Sequence, residues 1–414
     1  MSYDLNLNFT RTRIVDPRFD TVRASKAWDS GWDYVSGSVV GPLVEYPNNT
    51  PRTTPSGLLV EEASTNDFRN PRMEGATIGV VGSGGVLPTN MNLAGSGGST
   101  ITVNGVNTVD GYEELDITIS GTMSGTDILY LETSTAITTA LNDWTTLGFN
   151  VRIISGDETN VTALTVYHYW HSAAATYIAF STGTIFLGAI DSNRRRIVSS
   201  IEVTDATWVR SRPAIVYTGS GAVNLRLGIS APQQELKAYP TSIVLPTVAS
   251  PAASTRAGDS VETTIGAWFN ETEYTMFCEF QPAQLEASTT VFGISDDFND
   301  TAYYQANPTG AKSTSLIRSG AASSATMTGA TNELVVGTAI KVALGVAVDD
   351  FALSRTGQTQ VTDTSGPVPE TNVRLKLSGN SWTAGATGQT GYIKDFRYFA
   401  RRLTNAEIEA MVGN

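Results

Sequence analysis

The sequence predicts an all-β protein in which an extended N-terminal arm precedes two β-sandwich domains and one short helix ends the chain. Three observations support this prediction. Charged residues make up only 16% of the chain, below the usual value of about a quarter, which leaves little material for amphipathic helices. The 38 glycines and the many serines and threonines supply turn residues. Short segments of alternating apolar and polar residues lie between these turns, as half-buried strands require.

The length and charge of the chain limit its function. With 414 residues it can form two or three domains with cores of their own. It has 27 basic and 40 acidic residues, a formal charge of −13, which disfavours binding to nucleic acids or anionic membranes. No stretch approaches the roughly 20 apolar residues of a membrane span, and the first residues lack a signal-peptide pattern. We therefore expect synthesis in the cytoplasm without a signal peptide, and no membrane insertion.

Residues 1–66 are predicted to form an arm and not a domain. Four prolines between positions 42 and 55 are unfavourable in a central strand or a helix interior. Alternation over residues 3–9 predicts one short strand. Trp28, Trp32 and Tyr34 are large apolar groups in a segment with little core of its own. We therefore expect these three side chains to anchor the arm to another domain or another chain.

Residues 67–245 are predicted to form one β-sandwich. Turn pairs such as Asn104-Gly105, Asp110-Gly111 and Ser124-Gly125 separate short strand-like segments, which is typical of a jelly roll or a similar sandwich. The glycine-rich stretch 79–98 is interpreted as a long surface loop, and residues 246–257 as a small-residue linker. The candidate strands span residues 100–106, 114–120, 127–133, 145–155, 163–170, 177–180, 208–217 and 223–229.

Residues 258–414 are predicted to form a second β-sandwich that ends in a helix. Thr404 and Glu407 have the spacing of a capping box, in which each side chain accepts a hydrogen bond from the other residue's backbone N–H. Leu403 and Ile408 occupy the staple positions on either side, and the helix is expected to end near Gly413. The candidate strands span residues 274–281, 289–294, 313–318, 333–342, 346–354, 372–377 and 391–399.

Several short stretches resemble one family of tailed-phage virion proteins, the fibre, head-spike and decoration proteins. They occur in the family's order, at the joints between the predicted domains. Met91 stands where the family has a tryptophan, so no role of that tryptophan ring is expected in this chain. The stretches are residues 57–66, 70–76 with 87–90, 233–235 with 240–242 and 255–257, and 391–399 with 402–408.

The resemblance implies both a fold and a biological setting. The first sandwich would be carbohydrate-binding-like, and the second would be concanavalin A-like, or laminin-G-like. The partners would be other capsid or tail proteins and a host-surface glycan. A homotrimer is expected, because fibre and spike proteins are commonly trimers.

Residues 167–171 contain the candidate ligand site. On a strand, Tyr167, Tyr169 and His171 share one face, whereas His168 and Trp170 share the opposite, core-facing one. Aromatic rings stack on the apolar face of a pyranose, and neighbouring polar groups bind its hydroxyls. The first face is therefore a candidate glycan-binding site; the alternative is an aromatic covering of the sheet or a subunit contact. The two histidines point apart, which disfavours a shared metal.

An acidic loop is the candidate metal site. Asp296, Asp297, Asn299 and Asp300 bring together oxygen donors of the kind that Ca²⁺ prefers, and laminin-G-like domains often hold calcium at a loop edge. The spacing is not that of an EF-hand, so a solvated turn is the alternative. No other cofactor is predicted.

Other clusters are weighed against catalysis. Glu114 and Asp116 share a strand face, and a retaining glycosidase needs two carboxyls about 5–5.5 Å apart, one with a raised pKa. The third acidic position of the related strand motif is missing, which favours a polar strand face. Residues 194–196 are three arginines, interpreted as an exposed turn or as partners of acidic groups on a neighbouring subunit. Cys278 lies in an alternating strand and is predicted to be a small core residue.

These observations lead to one expectation of function. We expect a non-enzymatic virion protein, a head-fibre, decoration or tail-fibre component, that is anchored by its arm and displays lectin-like domains for attachment to host-surface glycans. A glycan-depolymerising tail spike and a purely structural capsid cement protein are the alternatives.

Overall fold

The computed structural model describes residues 5–11, 16–30, 40–135, 137–246, 252–285, 289–296, 299–307, 311–320, 322–378 and 390–413. Over these residues the chain is almost entirely β, with one short helix near its end, and the predicted all-β fold class is confirmed. Contacts divide the chain into two compact units. The central unit comprises Lys26–Glu45 and Ser64–Arg256, and the C-terminal unit comprises Met1–Ser25, Tyr46–Ala63 and Ala257–Asn414.

Thirty strands and one helix follow one another along the described residues. The first ten are β1 (Leu5–Asn8), β2 (Asp20–Val22), β3 (Ala27–Asp29), β4 (Val44–Tyr46), β5 (Arg52–Thr54), β6 (Gly57–Val60), β7 (Ser64–Asn66), β8 (Gly79–Val81), β9 (Gly84–Gly85) and β10 (Asn92–Gly95). The next eight are β11 (Thr100–Val109), β12 (Tyr112–Tyr130), β13 (Ile137–Thr138), β14 (Trp144–Gly156), β15 (Val161–His171), β16 (Tyr177–Ile185), β17 (Arg195–Glu202) and β18 (Arg210–Glu235). The last are β19 (Ser254–Arg256), β20 (Ser260–Thr264), β21 (Glu273–Pro282), β22 (Thr289–Ser295), β23 (Thr301–Asn307), β24 (Lys312–Ser319), β25 (Ala322–Thr328), β26 (Ile340–Ala347), β27 (Asp350–Arg355), β28 (Val361–Asp363), β29 (Arg374–Leu377), β30 (Gly391–Phe399) and α1 (Asn405–Val412).

The central unit is a sandwich built on one long strand pair. β12 and β18 run antiparallel from Glu114 opposite Ser230 to Tyr130 opposite Ala214. The other edge of β18 pairs with β15 over residues 210–219 and with β14 over residues 225–235. The β12–β18 pair is therefore part of both layers of the sandwich. Gly121 and Gly221, at this change of partner, have φ values of 114° and 103°, which glycine adopts most readily. Leucine, isoleucine and valine side chains from both layers share one core.

Three features of the central unit differ from the prediction. Asn104-Gly105 lies at a bulge within β11, with Gly105 opposite Asp116, and does not form a turn between strands. Ser124-Gly125 lies opposite Ser220 and Gly219 inside the long strand pair and does not form a turn. The predicted strands 114–120 and 127–133 are therefore one strand, as are 208–217 and 223–229. The stretch 79–98, expected to be a loop, contains β8, β9 and β10, because its glycines and small residues allow short strand pairings.

The C-terminal unit is a sandwich of two sheets. One has the strand order β28-β27-β26-β21-β30-β6-β5, with β1 also paired to β30; the other has the order β2-β20-β29-β22-β23-β24-β25. Alternating residues of β21, including Met276 and Cys278, enter the shared core with Phe292 and Phe396. Cys278 is the predicted core residue, and its burial raises the pKa of its thiol well above the usual value.

The helix closes the C-terminal unit as the sequence predicts. Thr404 and Glu407 form the complete capping box, and Gly413 ends the helix in the left-handed conformation with φ 83°. Leu403 and Ile408 are fully buried and pack with Phe277 and Phe399. Among the residues described above, no helix has the length and apolar character needed to cross a bilayer.

The described residues of 1–66 do not form a separate arm, and this part of the predicted organisation is wrong. β1 pairs with β30, with Leu5 opposite Tyr398, and β6 pairs with another part of β30. β2 pairs with β20 of the other sheet of the same unit. The prolines do not prevent this because the strands between them are only three or four residues long. The first 66 residues therefore supply strands to the sandwiches.

Buried charges hold the N-terminal segments within the C-terminal unit. Arg52 lies 2.6 Å from Glu61 and also bonds Asp259, while Arg23 donates to Asp259 at 2.9 Å. All four side chains are at most 2% exposed. Removing one member of such a buried network leaves an uncompensated charge in a dry environment, which is strongly destabilising.

Candidate functional site

Strand β15 places the predicted ligand-site residues on one face of the central unit. Leu164 and Val166 point into the core and are fully buried, and Trp170 points the same way. Because side chains alternate along a strand, Tyr167, Tyr169 and His171 lie on the opposite, outer face. The cross-strand register places Tyr169 opposite Phe180 of β16 and Arg212 of β18.

His168 belongs to the core side of β15. It is fully buried, and its Nε2 lies 3.3 Å from the Ser199 hydroxyl. Burial disfavours the charged imidazolium and lowers the pKa of His168 to about 4. His168 and His171 lie on opposite faces of the strand, so the two histidines do not form a joint metal site.

Neighbouring strands extend the outer face into a continuous aromatic patch, which we call the aromatic face: Tyr130, Tyr167, Tyr169, Tyr177 and Phe180. Tyr130 and Tyr167 both lie opposite Ala214 of β18, one from each side. Since alanine is small, the tyrosines on either side can lean over it. Sequence reasoning missed Tyr130, Tyr177 and Phe180, because the strand register that brings them to β15 is not visible in the sequence.

The rings of the aromatic face hold one another in place. Tyr169 lies at the centre, with its ring centroid 5.1 Å from Tyr130, 5.8 Å from Phe180 and 6.0 Å from Tyr177. Tyr167 stacks on Phe180 at 4.8 Å. Tyr169 is only 7% exposed, whereas Phe180 and Tyr177 are 48% and 52% exposed. The patch therefore has a packed centre and an accessible rim, in the edge-to-face and offset geometries that aromatic pairs prefer.

Two arginines of β18 border the aromatic face. The Arg212 guanidinium lies 3.5 Å from the centroid of the Tyr130 ring, and its Nε donates to the Glu132 carbonyl at 2.9 Å. Arg210 donates to the Thr135 carbonyl at 2.5 Å. Within the described part of the chain, neither arginine pairs with a carboxylate. The carboxylate of Glu132, whose carbonyl Arg212 bonds, is bound instead by Arg69 at 2.7 Å.

Partial dehydration shapes the electrostatics of this face. Burial raises the pKa of Tyr130 and of Tyr169, and it lowers the pKa of Arg212, which nevertheless stays charged at neutral pH. Burial, helped by the positive charge of Arg212, also lowers the pKa of His171. His171 is 5% exposed, and its Nδ1 has no hydrogen-bond partner among the described residues. The face therefore offers a neutral imidazole beside a fixed positive charge.

The acidic loop is described only in part. Asp300 accepts hydrogen bonds from the backbone N–H groups of Gly320 at 3.2 Å and Glu370 at 3.0 Å, and Asp296 accepts one from the Thr371 hydroxyl. Asp297, another member of the predicted calcium set, lies outside the described residues, whereas Asn299 lies within them. No group of three or more metal-binding side chains occurs in the described portion. The described carboxylates thus bond neighbouring segments of the same unit.

Glu114 and Asp116 are neutralised by arginines. Glu114 lies 2.8 Å from Arg152 and 3.1 Å from Arg194, and Asp116 lies 2.6 Å from Arg226. Although burial opposes it, these contacts hold the pKa of Asp116 below its usual value. Asp116 is thus not the raised-pKa acid of a retaining hydrolase, and Glu114 is engaged by two arginines. The arginine run at 194–196 is not an exposed turn, because Arg194 is buried against Glu114 of the same chain.

The expected anchoring residues have different outcomes. Trp28 is buried in a cluster of the central unit with Val40, Tyr112, Ile243 and Leu245. Its ring thus packs against residues of the predicted sandwich 67–245, which agrees with the expected contact to another domain, and its anchoring to another chain stays a prediction. Trp32 and Tyr34 lie outside the described residues.

A groove in the C-terminal unit was not predicted. It has a volume of about 450 Å³ and lies beside α1 on the outer face of β21, β26 and β30. Its lining residues are Phe277, Glu279, Lys341, Arg397, Phe399, Ala410 and Met411. The charges in the groove balance one another, since Glu279 lies opposite Lys341 in the strand register and Arg397 forms an ion pair with Asp395. The available signal was the polar residues at alternate positions of β21, with Phe277 the one apolar residue among them.

Comparisons with known proteins add structural likenesses at low similarity. No family model matches the sequence, and no curated protein matches it. The CBM40 module of the Ruminococcus gnavus IT-sialidase, bound to α2,3-sialyllactose, is 13% identical with a TM-score of 0.30 and covers 35% of this chain and 84% of its own. The CBM22 tandem of Paenibacillus barcinonensis Xyn10C is 10% identical (TM-score 0.27; 84% and 99% covered). Domains LG4-5 of the mouse laminin α1 chain are 11% identical (TM-score 0.26; 69% and 92% covered).

The similar structures are thus carbohydrate-binding modules and laminin G domains. At TM-scores of this size the likenesses do not bear on the ligand of this chain. The fold rests on the two sandwiches themselves, and the candidate site rests on the aromatic face.

Proposed function

We propose that this chain is a glycan-binding structural protein of a tailed-phage particle and that it binds sugar on the aromatic face of the central unit. The observation behind this proposal is the combination of a packed aromatic centre, an accessible rim at Tyr177 and Phe180, and terminal N–H groups of Arg210 and Arg212 that bond no described residue. Rings of this kind cover the C–H face of a pyranose, while neighbouring donors and acceptors bind its hydroxyls.

Multivalency makes weak binding sufficient for this role. A particle that carries many copies of a protein raises the effective concentration of each site, so total attachment exceeds the affinity of one site. A homotrimer would act in the same direction. The expected oligomer can be checked by native mass spectrometry of the purified chain.

The virion assignment is supported by the sequence stretches that resemble phage fibre, head-spike and decoration proteins. It is tested by expressing a tagged copy during infection and asking whether purified particles contain it. Because β1 and β2 belong to the two sheets of a folded sandwich, deleting residues 1–50 would disrupt that unit as well as any anchor. Replacing Trp32 and Tyr34 with alanine tests anchoring with less disturbance, and unchanged incorporation would contradict an anchoring role for these two residues.

Sugar binding is tested with the full chain on a glycan array, followed by titration of the best ligands. The Y177A/F180A double variant is expected to lose binding, because it removes the exposed rim and leaves Tyr169 in place. Ile185→Ala is the matched control, since Ile185 is an exposed apolar residue of the same strand outside the ring contacts. Equal binding by the wild type and the double variant would reject the aromatic face as the site.

The same samples separate the alternatives. Release of reducing ends from a host polysaccharide would indicate a depolymerising spike. Incorporation into particles without binding to any glycan would indicate a structural cement protein. We propose a non-enzymatic role because Glu114 and Asp116, the carboxylate pair weighed for hydrolysis, are engaged by arginines.

A further inference from the structure

We infer that the aromatic face selects saccharides that bear a carboxylate, with Arg212 as the residue that binds the carboxylate group. This inference rests on the proposed glycan binding and adds the chemical class of the sugar. It concerns charge, and not the aromatic stacking that any pyranose could use.

Arg212 is presented in a way that suits an anionic ligand. Its guanidinium is stacked 3.5 Å from the Tyr130 ring centroid, which fixes its plane, and its Nε is held by the Glu132 carbonyl. Its two terminal nitrogens make no hydrogen bond to any described residue. A planar guanidinium with unused terminal N–H groups matches the two oxygens of a carboxylate.

The pairing of the other arginines in the central unit makes Arg212 unusual. Six of them have carboxylate partners of their own: Arg69, Arg72, Arg152, Arg194, Arg195 and Arg226. Arg210 and Arg212 have none in the described part of the chain, although the protein has an excess of 13 acidic charges. A half-buried cation that no carboxylate directly contacts is costly to fold, and the Tyr130 ring and the more distant charge of Glu132 offset only part of this cost. An external carboxylate would supply the missing partner.

Neighbouring groups complete a site for an acidic pyranose. Arg210 lies two residues before Arg212, on the same face and opposite His171 in the register. His171 is 5% exposed and its unpartnered Nδ1 is itself buried, so the donor for a sugar hydroxyl is the second terminal nitrogen of Arg210, which bonds no described residue. Phe180 lies across Tyr169 from Arg212 and offers an exposed ring. The carboxylate of the sugar would thus meet Arg212, a hydroxyl would meet Arg210, and the C–H face would lie on the Phe180 ring.

The test uses three small sugars that differ in charge: D-glucuronate, its uncharged methyl ester and D-glucose. Binding to the full chain is measured by ligand-observed NMR titration at low ionic strength. Glucuronate is expected to bind about tenfold or more tightly than the two neutral sugars, since a hydrogen bond between charged groups adds this much. The preference should weaken as salt is added.

Variants assign the preference to Arg212. R212Q should bind all three sugars alike, R212K should keep part of the preference because it retains the charge without the planar fork, and R210Q should reduce it less than R212Q. Arg195→Gln is the matched control, since it removes one positive charge from an exposed pair on another strand of the same unit, and it should keep the full preference. R212K and R210Q keep the test valid if R212Q folds poorly.

The possible failures are distinguishable. If the wild type binds glucuronate and glucose equally, the carboxylate selection is wrong while glycan binding stands. If the preference survives in R212Q, the assignment to Arg212 is wrong. If neither the glycan array nor these sugars show binding, the proposed function itself fails. A preference that R195Q removes as fully as R212Q would indicate attraction by overall charge and would also overturn the inference.

Discussion

The two sandwiches of this protein differ in how they use arginine. In the C-terminal unit, Arg23 and Arg52 are buried and bonded to Asp259 and Glu61. In the central unit, Arg212 lies on the outer face against an aromatic ring, and the described residues give it no carboxylate. Both units are built from the same kind of sheet, so the fold does not dictate this difference.

The comparison separates structural charges from charges that are available to a ligand. A buried arginine with two carboxylate partners holds chain segments together, and its loss is felt as a loss of stability. An arginine without a partner beside exposed rings adds little to folding, and such a local conflict is expected at a functional site. In the groove of the C-terminal unit, the arginine also has a carboxylate partner, since Arg397 is paired with Asp395. Its charge is therefore not available to a ligand in the way that the charge of Arg212 is.

The largest expected effect comes from breaking the buried network. Asp259→Asn removes the charge that Arg23 and Arg52 share, and it should cost about 3–5 kcal/mol of unfolding free energy in the C-terminal unit. Urea denaturation measures this loss. Arg401→Gln is the control in the same unit, since its pair with Glu407 is exposed and should be worth under about 1 kcal/mol. Equal costs for the two variants would contradict the structural role assigned to Asp259.

The next effect compares the outer faces of the two units. Phe180→Ala should weaken sugar binding about tenfold, because a stacked aromatic ring contributes about 1–1.5 kcal/mol. Lys341→Gln, in the groove of the C-terminal unit, should leave the affinity unchanged. Isothermal titration with the best array ligand measures both. A larger loss from K341Q than from F180A would move the site to the groove.

A pH-dependent effect of smaller size is expected at Asp67 in the central unit. Burial and the negative charge of Glu235 raise the pKa of Asp67 to about 6. The folded state therefore holds this proton more tightly than the unfolded state does, so stability falls as pH rises from about 4 to 6 and stays lower above. Asp67→Asn cannot ionise and should be more stable than wild type at pH 7, on the order of 1 kcal/mol after allowance for partial solvent screening.

Thermal unfolding at pH 4 and pH 7 checks this expectation. The two proteins should have similar stability at pH 4 and diverge at pH 7. The Asp67 carboxylate accepts no hydrogen bond from the described residues, so its replacement by an amide loses no contact of that kind. A stability difference that is the same at both pH values would contradict the raised pKa.

The smallest effect is expected at the helix cap. Thr404→Ala removes one half of the capping box and should cost about 1 kcal/mol, seen as a small decrease in the melting temperature of the C-terminal unit. Sugar affinity should not change, because the helix belongs to the unit without the aromatic face. A change in affinity would show that the two units are coupled.

Local patterns in the sequence predicted what depends on local geometry. Strand alternation placed Tyr167, Tyr169 and His171 on one face, and a four-residue spacing identified the cap of α1. The remaining members of the site lie on other strands, and Tyr130 reaches Tyr169 only through the register of β12, β18 and β15. This register is set by long-range pairing and leaves no short-range signal.

The incorrect predictions have the same origin. Ser124-Gly125 has the composition of a turn, but it continues as a strand because Gly219 and Ser220 face it with equally small side chains. The arginines at 194–196 suggest a solvated loop, whereas the partner of Arg194 is Glu114, 80 residues away. The proline-rich start suggests an arm, although its short strands fit between the prolines.

The pairing of β1 with β30 has a consequence for synthesis. Leu5 and Tyr398 are 393 residues apart in the sequence, so β1 cannot pair with β30 until roughly 20–80 s after its own synthesis, at translation rates of about 5–20 residues per second. Meanwhile residues 64–256 have already emerged and can fold. The C-terminal sandwich is then completed late, through contacts between strands that are distant in the sequence, and such distant pairing folds slowly. A nascent chain stalled before residue 391 should therefore present a folded central unit and an unfinished second sandwich, the state most exposed to proteases and to aggregation.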